Sequence, residues 1–177
     1  VAAMALAWLN GVSTEEIRTA MSTFSGIYRR FNIVFNSGKV VYMDDYAHHP
    51  SELKASISSI RQLYSDRKIT GIFQPHLYSR TRDFAPEFAE ALSELDELIL
   101  LDIYPARELP IEGVTSELIM KDVSIPDKTL TSKENLLILL DQKELDVLVT
   151  FGAGDIDKMV PEIKKYLKER FGNNSEK

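Results

Sequence analysis

The sequence predicts an α/β fold: a mostly parallel sheet with helices on both faces, preceded by a short helical segment. Three observations lead there. Stretches of strand character alternate with stretches of helical period from about Phe31 onward. The residues before Phe31 show helical spacing alone. A polar cluster follows each of four strand-like runs, as at the ligand-binding edge of an open α/β sheet.

The opening "VAAMALAWLN" has no basic segment before its apolar run, so it reads as helix rather than as a secretory signal. Because the chain begins with Val, it is expected to be a piece of something longer. Ser13-Thr14-Glu15-Glu16 forms a capping-box pattern, and Ile17, Ala20, Met21 and Phe24 follow at helical spacing. "FNIVFN" and "KVVYMD" then read as two strands, and Ser37-Gly38 suits the turn of a hairpin. Pro50 fits the first turn of the next helix. "KITGIFQ" predicts a strand and residues from about Thr81 to Ser93 a helix. "ELILLD" predicts a strand, followed by a loop and a short helix near Ser116. "KTLT" is a weak strand before the helix "SKENLLILLDQ". "LDVLVTF" is the last strand, before a helix from about Ile156 to Phe171 and a polar tail.

Length and composition set limits. The 177 residues suffice for one domain, or one domain and part of another. A net charge of −6 (21 basic, 27 acidic) argues against broad nucleic-acid binding, which needs a basic face. With no cysteine, disulfides, thiolate metal sites and cysteine nucleophiles are excluded; this is compatible with a cytosolic home. No apolar run is long enough to span a bilayer.

The four polar clusters are "DDYAHH", "QPHLYSRTRD", "DIYPARE" and "GAGD". Adjacent carboxylates at a strand end point to opposite sides, so one of Asp44 and Asp45 can face a ligand while the other supports the loop or caps the next helix. Asp45 is of the type that accepts ribose hydroxyls or helps hold Mg2+. His48 and His49 account for two of three histidines but lack the spacing of a metal site; one is expected to face the crevice and the other to be structural. His76 and Arg80 lie four residues apart, with Arg82 beyond, and a cation at a helix start opposes the helix dipole unless an anion binds there. Arg offers a planar fork matched to a carboxylate or phosphate. "GAGD" fits either an anion-binding turn or, more simply, a tight strand-to-helix connection. The "RRF" at Arg29–Phe31 reads by default as two surface arginines, or as a cationic hinge.

Taken in order, "RRF", "DDYAHHP", "QPHLYSRTRDF", "DIYPARE" and "GAGDI" resemble the carboxyl-terminal part of the Mur ligases. "DYAHxP" is shared with other amide ligases of that superfamily; the combination with "QPHLYSRT" and "DIYPARE" is more specific. The resemblance implies a Rossmann-like domain at residues 32–177, preceded at 1–31 by the last helices of an ATP-binding central domain. It implies an enzyme that uses ATP and Mg2+ to join L-alanine to UDP-N-acetylmuramate through an acyl phosphate, in the cytoplasm, without nucleic-acid or membrane partners. The chain has no P-loop motif, so by itself it is expected to be inactive, to hold no cofactor firmly, and to need N-terminal and central domains. By resemblance Arg30 and Asp45 contact ATP, while Tyr46, His48, His76 and Arg80 line the alanine pocket. By the same resemblance Arg80 would pair with the alanine carboxylate; many relatives carry Arg where this chain has Leu77, so Arg80 or a backbone group must do more here. No catalytic side chain and no metal ligand is assigned. Two other readings remain: a metal-dependent hydrolase using Asp44, Asp45, His48 and His49, and a receiver-like binding module.

Overall fold

The computed structural model describes residues 2–24 and 26–172. Its centre is a six-stranded sheet in the order β1-β2-β6-β3-β4-β5. The strands are β1 (Asn32–Asn36), β2 (Val41–Asp45), β3 (Ile69–Phe73), β4 (Glu97–Leu101), β5 (Lys128–Thr131) and β6 (Val147–Phe151). β1 runs antiparallel to β2 as a hairpin, and all other pairs are parallel. The helices are α1 (Ala2–Leu9), α2 (Thr14–Ser22), α3 (Pro50–Leu63), α4 (Tyr78–Leu92), α5 (Glu117–Met120), α6 (Lys133–Asp141) and α7 (Met159–Phe171). The predicted α/β class and the parallel, doubly covered sheet are therefore present.

Period-two alternation divides the core. Ile69 and Phe73 pack on one side with Leu53, Ile57 and Ile60 of α3 and Phe88 of α4. Ile72 packs on the other with Leu136 and Leu140 of α6 and Ile163 and Leu167 of α7. Each fully buried Leu or Ile contributes about 1.5–3 kcal/mol. Because β6 inserts between β2 and β3, the carboxyl ends of these strands form the switch-point crevice expected of such a sheet.

Three boundaries differ from the sequence expectation. α4 begins at Tyr78 rather than near Thr81, after Leu77 takes φ +73° and both the Thr81 amide and its hydroxyl donate to the Leu77 carbonyl. α4 is also broken: Phe84 has non-helical angles (φ −127°, ψ 19°) just before Pro86, which has no N–H to donate back into the helix. The last helix is preceded by a separate 3-10 turn at Asp155–Lys158. Of the polar tail, residues 173–177 lie outside the described residues.

α1 and α2 carry no buried residue, although the Ser13–Glu16 capping box forms as the sequence predicts. Trp8, Leu9, Phe24, Ile27 and Tyr28 are all exposed. Among the described residues, no helix is long and apolar enough to cross a membrane.

The amino-terminal edge of the sheet is closed by ions. Glu97 is buried, accepts hydrogen bonds from the Thr70 hydroxyl (3.0 Å) and Lys143, and pairs with Lys68 (2.8 Å). Burial works to raise its carboxyl, but Lys143 and Lys68 outweigh burial and hold it below the usual range. A carboxyl lowered on folding stabilises above its unfolded pKa, and that stabilisation is lost as pH falls through the folded pKa. Glu97→Gln should therefore lower the thermal midpoint at pH 7, with the gap from wild type closing below about pH 4. A pH-independent gap would show that the charge is not what stabilises.

Candidate functional site

Hydrogen bonds join the ends of the strands, so the four polar clusters meet in space. The Gly152 amide donates to the Asp45 carbonyl (3.3 Å) and the Gln74 amide to the Phe151 carbonyl (3.1 Å). The Tyr104 amide donates to the Pro75 carbonyl (2.8 Å), and the Leu77 amide donates back to the Tyr104 carbonyl (2.9 Å).

Asp44 and Asp45 diverge, as alternation requires. Asp44 is almost wholly enclosed; it accepts from Thr150 Oγ1 (2.7 Å) and Arg29 Nε (3.1 Å). Burial pushes its carboxyl up, against the opposing pull of Thr150 and Arg29. Asp45 Oδ2 accepts from the Phe31 amide (3.0 Å) and the Ser56 hydroxyl (3.2 Å), and Oδ1 from the Ala47 amide (2.8 Å). Oδ1 keeps capacity for one more donor, such as a hydroxyl.

Arg29 overturns the surface-arginine expectation. It is 7% exposed, pairs with Asp44, donates to the Gly152 carbonyl (2.6 Å) and lies 3.7 Å from Asp157. Arg29 (φ +57°) and Phe31 (φ +51°) both adopt left-handed angles, so the chain twists sharply into β1 and the two arginines separate. Arg30 projects outward over the Tyr46 ring, 3.8 Å from Glu52. Arg30, Phe31, Asp45, Glu52, Ser56 and Ser59 line an open cleft of about 320 Å3. Residues 29–31, grouped with the helices on sequence grounds, are thus bonded to the sheet.

The two adjacent histidines part company. His49 caps α3: its Nδ1 accepts from the Ser51 amide (3.4 Å) and meets the Ser51 hydroxyl (2.9 Å). His48 turns to the crevice. Its Nδ1 lies 2.9 Å from the Tyr46 carbonyl and 3.2 Å from Glu52, and its ring stands edge-on to Tyr46 (5.1 Å) and His76 (6.1 Å). His76 stacks on Tyr104 (5.7 Å). Burial, then the Arg80 charge, lowers the His76 pKa, favouring a neutral ring at pH 7. Among the described residues, His76 Nδ1 and one terminal nitrogen of Arg80 are buried without any hydrogen-bond partner. Such atoms are costly to leave unmet. Leu77, between them, supplies no donor from its side chain, whereas ring contacts link Tyr46, His48 and His76, and the Arg80 charge is felt at His76.

"GAGD" is a close-packed turn. A Cβ on Gly152 would stand 2.8 Å from the Gln74 carbonyl, and one on Gly154 would stand 2.7 Å from Tyr104 Cβ. Gly152 also takes φ +141°. The Ile156 amide donates to Gln74 Oε1 (2.9 Å), so this donor is already used within the fold. Sequence reasoning missed two residues here. Gln74 is buried and ties β3 to Asp155 as well as Ile156; its only signal was a polar residue ending an apolar strand. Glu108 lay in a cluster that had been noted, but without a role.

A family model, Mur ligase, glutamate ligase domain, matches residues 29–154. The chain belongs to the Mur ligase family. Among Mur ligases it is 57% identical over 167 residues to the UDP-N-acetylmuramate–L-alanine ligase of Parabacteroides distasonis, covering 94% of this chain and 36% of that protein. The corresponding enzyme of Flavobacterium johnsoniae is 50% identical over 167 residues, with 94% and 37% covered. The chain thus spans little more than a third of the length of the curated relatives it matches. The crystal structure of UDP-N-acetylmuramate-alanine ligase from Thermotoga maritima superposes with a TM-score of 0.72 at 24% identity, over 94% of this chain and 36% of that one, a likeness of fold.

Neither alternative reading gains support from the geometry. The hydrolase needs Asp44, Asp45, His48 and His49 to converge, but Asp44 is taken by Arg29, Asp45 faces the other side, and His49 caps a helix. The receiver-like module needs an accessible acceptor carboxylate, whereas Asp45 is buried and its Oδ2 already accepts two hydrogen bonds within the fold.

Proposed function

We propose that this chain is the carboxyl-terminal part of an ATP-dependent ligase that joins L-alanine to UDP-N-acetylmuramate in peptidoglycan precursor synthesis. The observation that carries this reading is the pair of unmet polar atoms beside the crevice, His76 Nδ1 and one terminal nitrogen of Arg80. An amino-acid carboxylate satisfies the Arg80 fork, and Tyr46 and His48 close the same side. Identity of 50–57% to alanine-adding ligases favours alanine as the amino acid.

The ATP fit is partial. Arg30 is exposed enough to meet a phosphate, and Asp45 Oδ1 has room for a ribose hydroxyl. ATP would supply the phosphoryl group that activates the sugar-linked carboxylate as an acyl phosphate. The described residues bring together no three His, Asp or Glu side chains able to hold a metal ion, so no role for Mg2+ is assigned to them. In this reading the N-terminal and central domains contribute the triphosphate cradle and the UDP-sugar site. The apolar surface of α1, α2 and residues 27–28 belongs against the central domain, with residues 29–31 as the connection. A nucleotide-linked substrate places the reaction in the cytoplasm.

The full-length protein should release phosphate from ATP only when UDP-N-acetylmuramate and L-alanine are both present. Dependence on a different amino acid, or on a sugar already carrying a peptide, would overturn the assignment. The chain alone should show no saturable heat with ATP at micromolar concentrations in calorimetry. Micromolar affinity would contradict the proposed division of labour.

A further inference from the structure

We infer that Glu108 is a positioning residue for the amino-acid end of the site, acting through the first turn of α4; this rests on the function proposed above. The turn carrying Arg80 closes through Thr81 onto the Leu77 carbonyl, but its own N-terminus gives it no side-chain cap. Leu77 at the N-cap supplies no side-chain cap, and the break at Phe84 and Pro86 separates residues 78–83 from the rest of α4. That turn also carries Arg80, where the helix dipole disfavours a cation.

Glu108 supplies what is lacking. One carboxylate oxygen accepts from the Ser79 amide (2.9 Å) and the other from the Ser79 hydroxyl. Ser79 thereby holds the Glu108 carboxyl below its usual range. The carboxylate is a cap reached from the neighbouring β4–α5 loop, and its charge suits a helix N-terminus. The same loop grips the α4 approach by the two backbone bonds between Tyr104 and Pro75–Leu77, and stacks Tyr104 on His76.

Backbone angles point the same way. Leu77 (φ +73°) and Ala106 (φ +52°) are both non-glycine residues in the left-handed region, one in each of the two facing loops. Such angles persist where surrounding contacts over-determine them. The Glu108 amide closes a turn onto the Pro105 carbonyl (2.9 Å), aiming the side chain back at Ser79. Arg80 is the next residue after Ser79, so the clamp fixes the backbone from which the Arg80 side chain extends.

The test compares wild type, Glu108→Ala and Glu108→Gln. In the full-length ligase, Glu108→Ala should raise KM for L-alanine roughly tenfold, with kcat and KM for ATP changed less than about threefold, and Gln should fall between. A uniform loss across all substrates, or no change, overturns the positioning role. In this chain alone, exchange of the Ser79 amide should be at least about tenfold faster in Glu108→Ala, with the Phe88 and Ala89 amides unchanged. Unchanged Ser79 exchange overturns the clamp whatever the substrate. A wild-type full-length protein inactive with alanine, but with faster Ser79 exchange in the variant, retains the clamp and overturns the functional reading instead.

Discussion

Replacing Arg29 by alanine is expected to destabilise the protein by about 3–5 kcal/mol, the cost of removing one partner from a buried ion pair. Asp44 would remain enclosed with Thr150 as its one side-chain donor, and the Gly152 carbonyl would lose its 2.6 Å bond. Deprived of the cation, Asp44 must ionise at a cost or take up a proton. For a domain of this size the loss corresponds to a fall in thermal midpoint on the order of 10 °C. Arg29→Lys should recover only part, since an ammonium cannot serve Asp44 and Gly152 with the same fork. Replacing both partners, Arg29→Met with Asp44→Asn, should do less damage than Arg29→Ala alone, because no uncompensated charge stays inside. Urea unfolding of the three variants decides it. A loss below about 1 kcal/mol for Arg29→Ala would mean that the pair behaves like a surface ion pair.

Under the proposed function, Arg80→Ala in the full-length protein should reduce kcat/KM at least about tenfold, because a hydrogen bond to a charged group contributes roughly 1.5–3 kcal/mol. The loss should appear against L-alanine, with the dependence on ATP and UDP-N-acetylmuramate much less affected. Leu77 offers no second fork in place of the lost one. Arg80→Lys should rescue only in part. Stability supplies a second readout. One terminal nitrogen of Arg80 is buried without a partner and, among the described residues, the side chain donates no hydrogen bond, so its removal should leave the thermal midpoint unchanged or raised. Steady-state kinetics with each substrate varied in turn, beside a melting curve, separate binding from folding. An unchanged alanine dependence would remove Arg80 from the site, and the proposed pocket would lose its main anchor.

The sequence by itself determined the alternation of strands and helices, the hairpin at Ser37-Gly38, the capping box of α2, and the placing of four polar clusters at strand ends. These are local signals: period two or 3.6, turn residues and caps are written within a few neighbouring positions. The resemblance of the motifs carried the family. The tertiary structure alone decided the rest. Arg29 and Arg30 look alike in sequence and both lie over the Tyr46 ring, but the left-handed angles at Arg29 and Phe31 turn Arg29 inward to Asp44 and Arg30 outward toward Glu52. His48 and His49 are adjacent, yet the start of α3 claims His49 as its cap and leaves His48 for the crevice. The glycines of "GAGD" are required by Gln74 and Tyr104, which arrive from two other strands. Glu108 meets Ser79 across 29 positions, and Arg29 meets Gly152 across 123. Whether a charge is buried, paired or left open depends on which distant segments the sheet order brings beside it, and no local pattern encodes that.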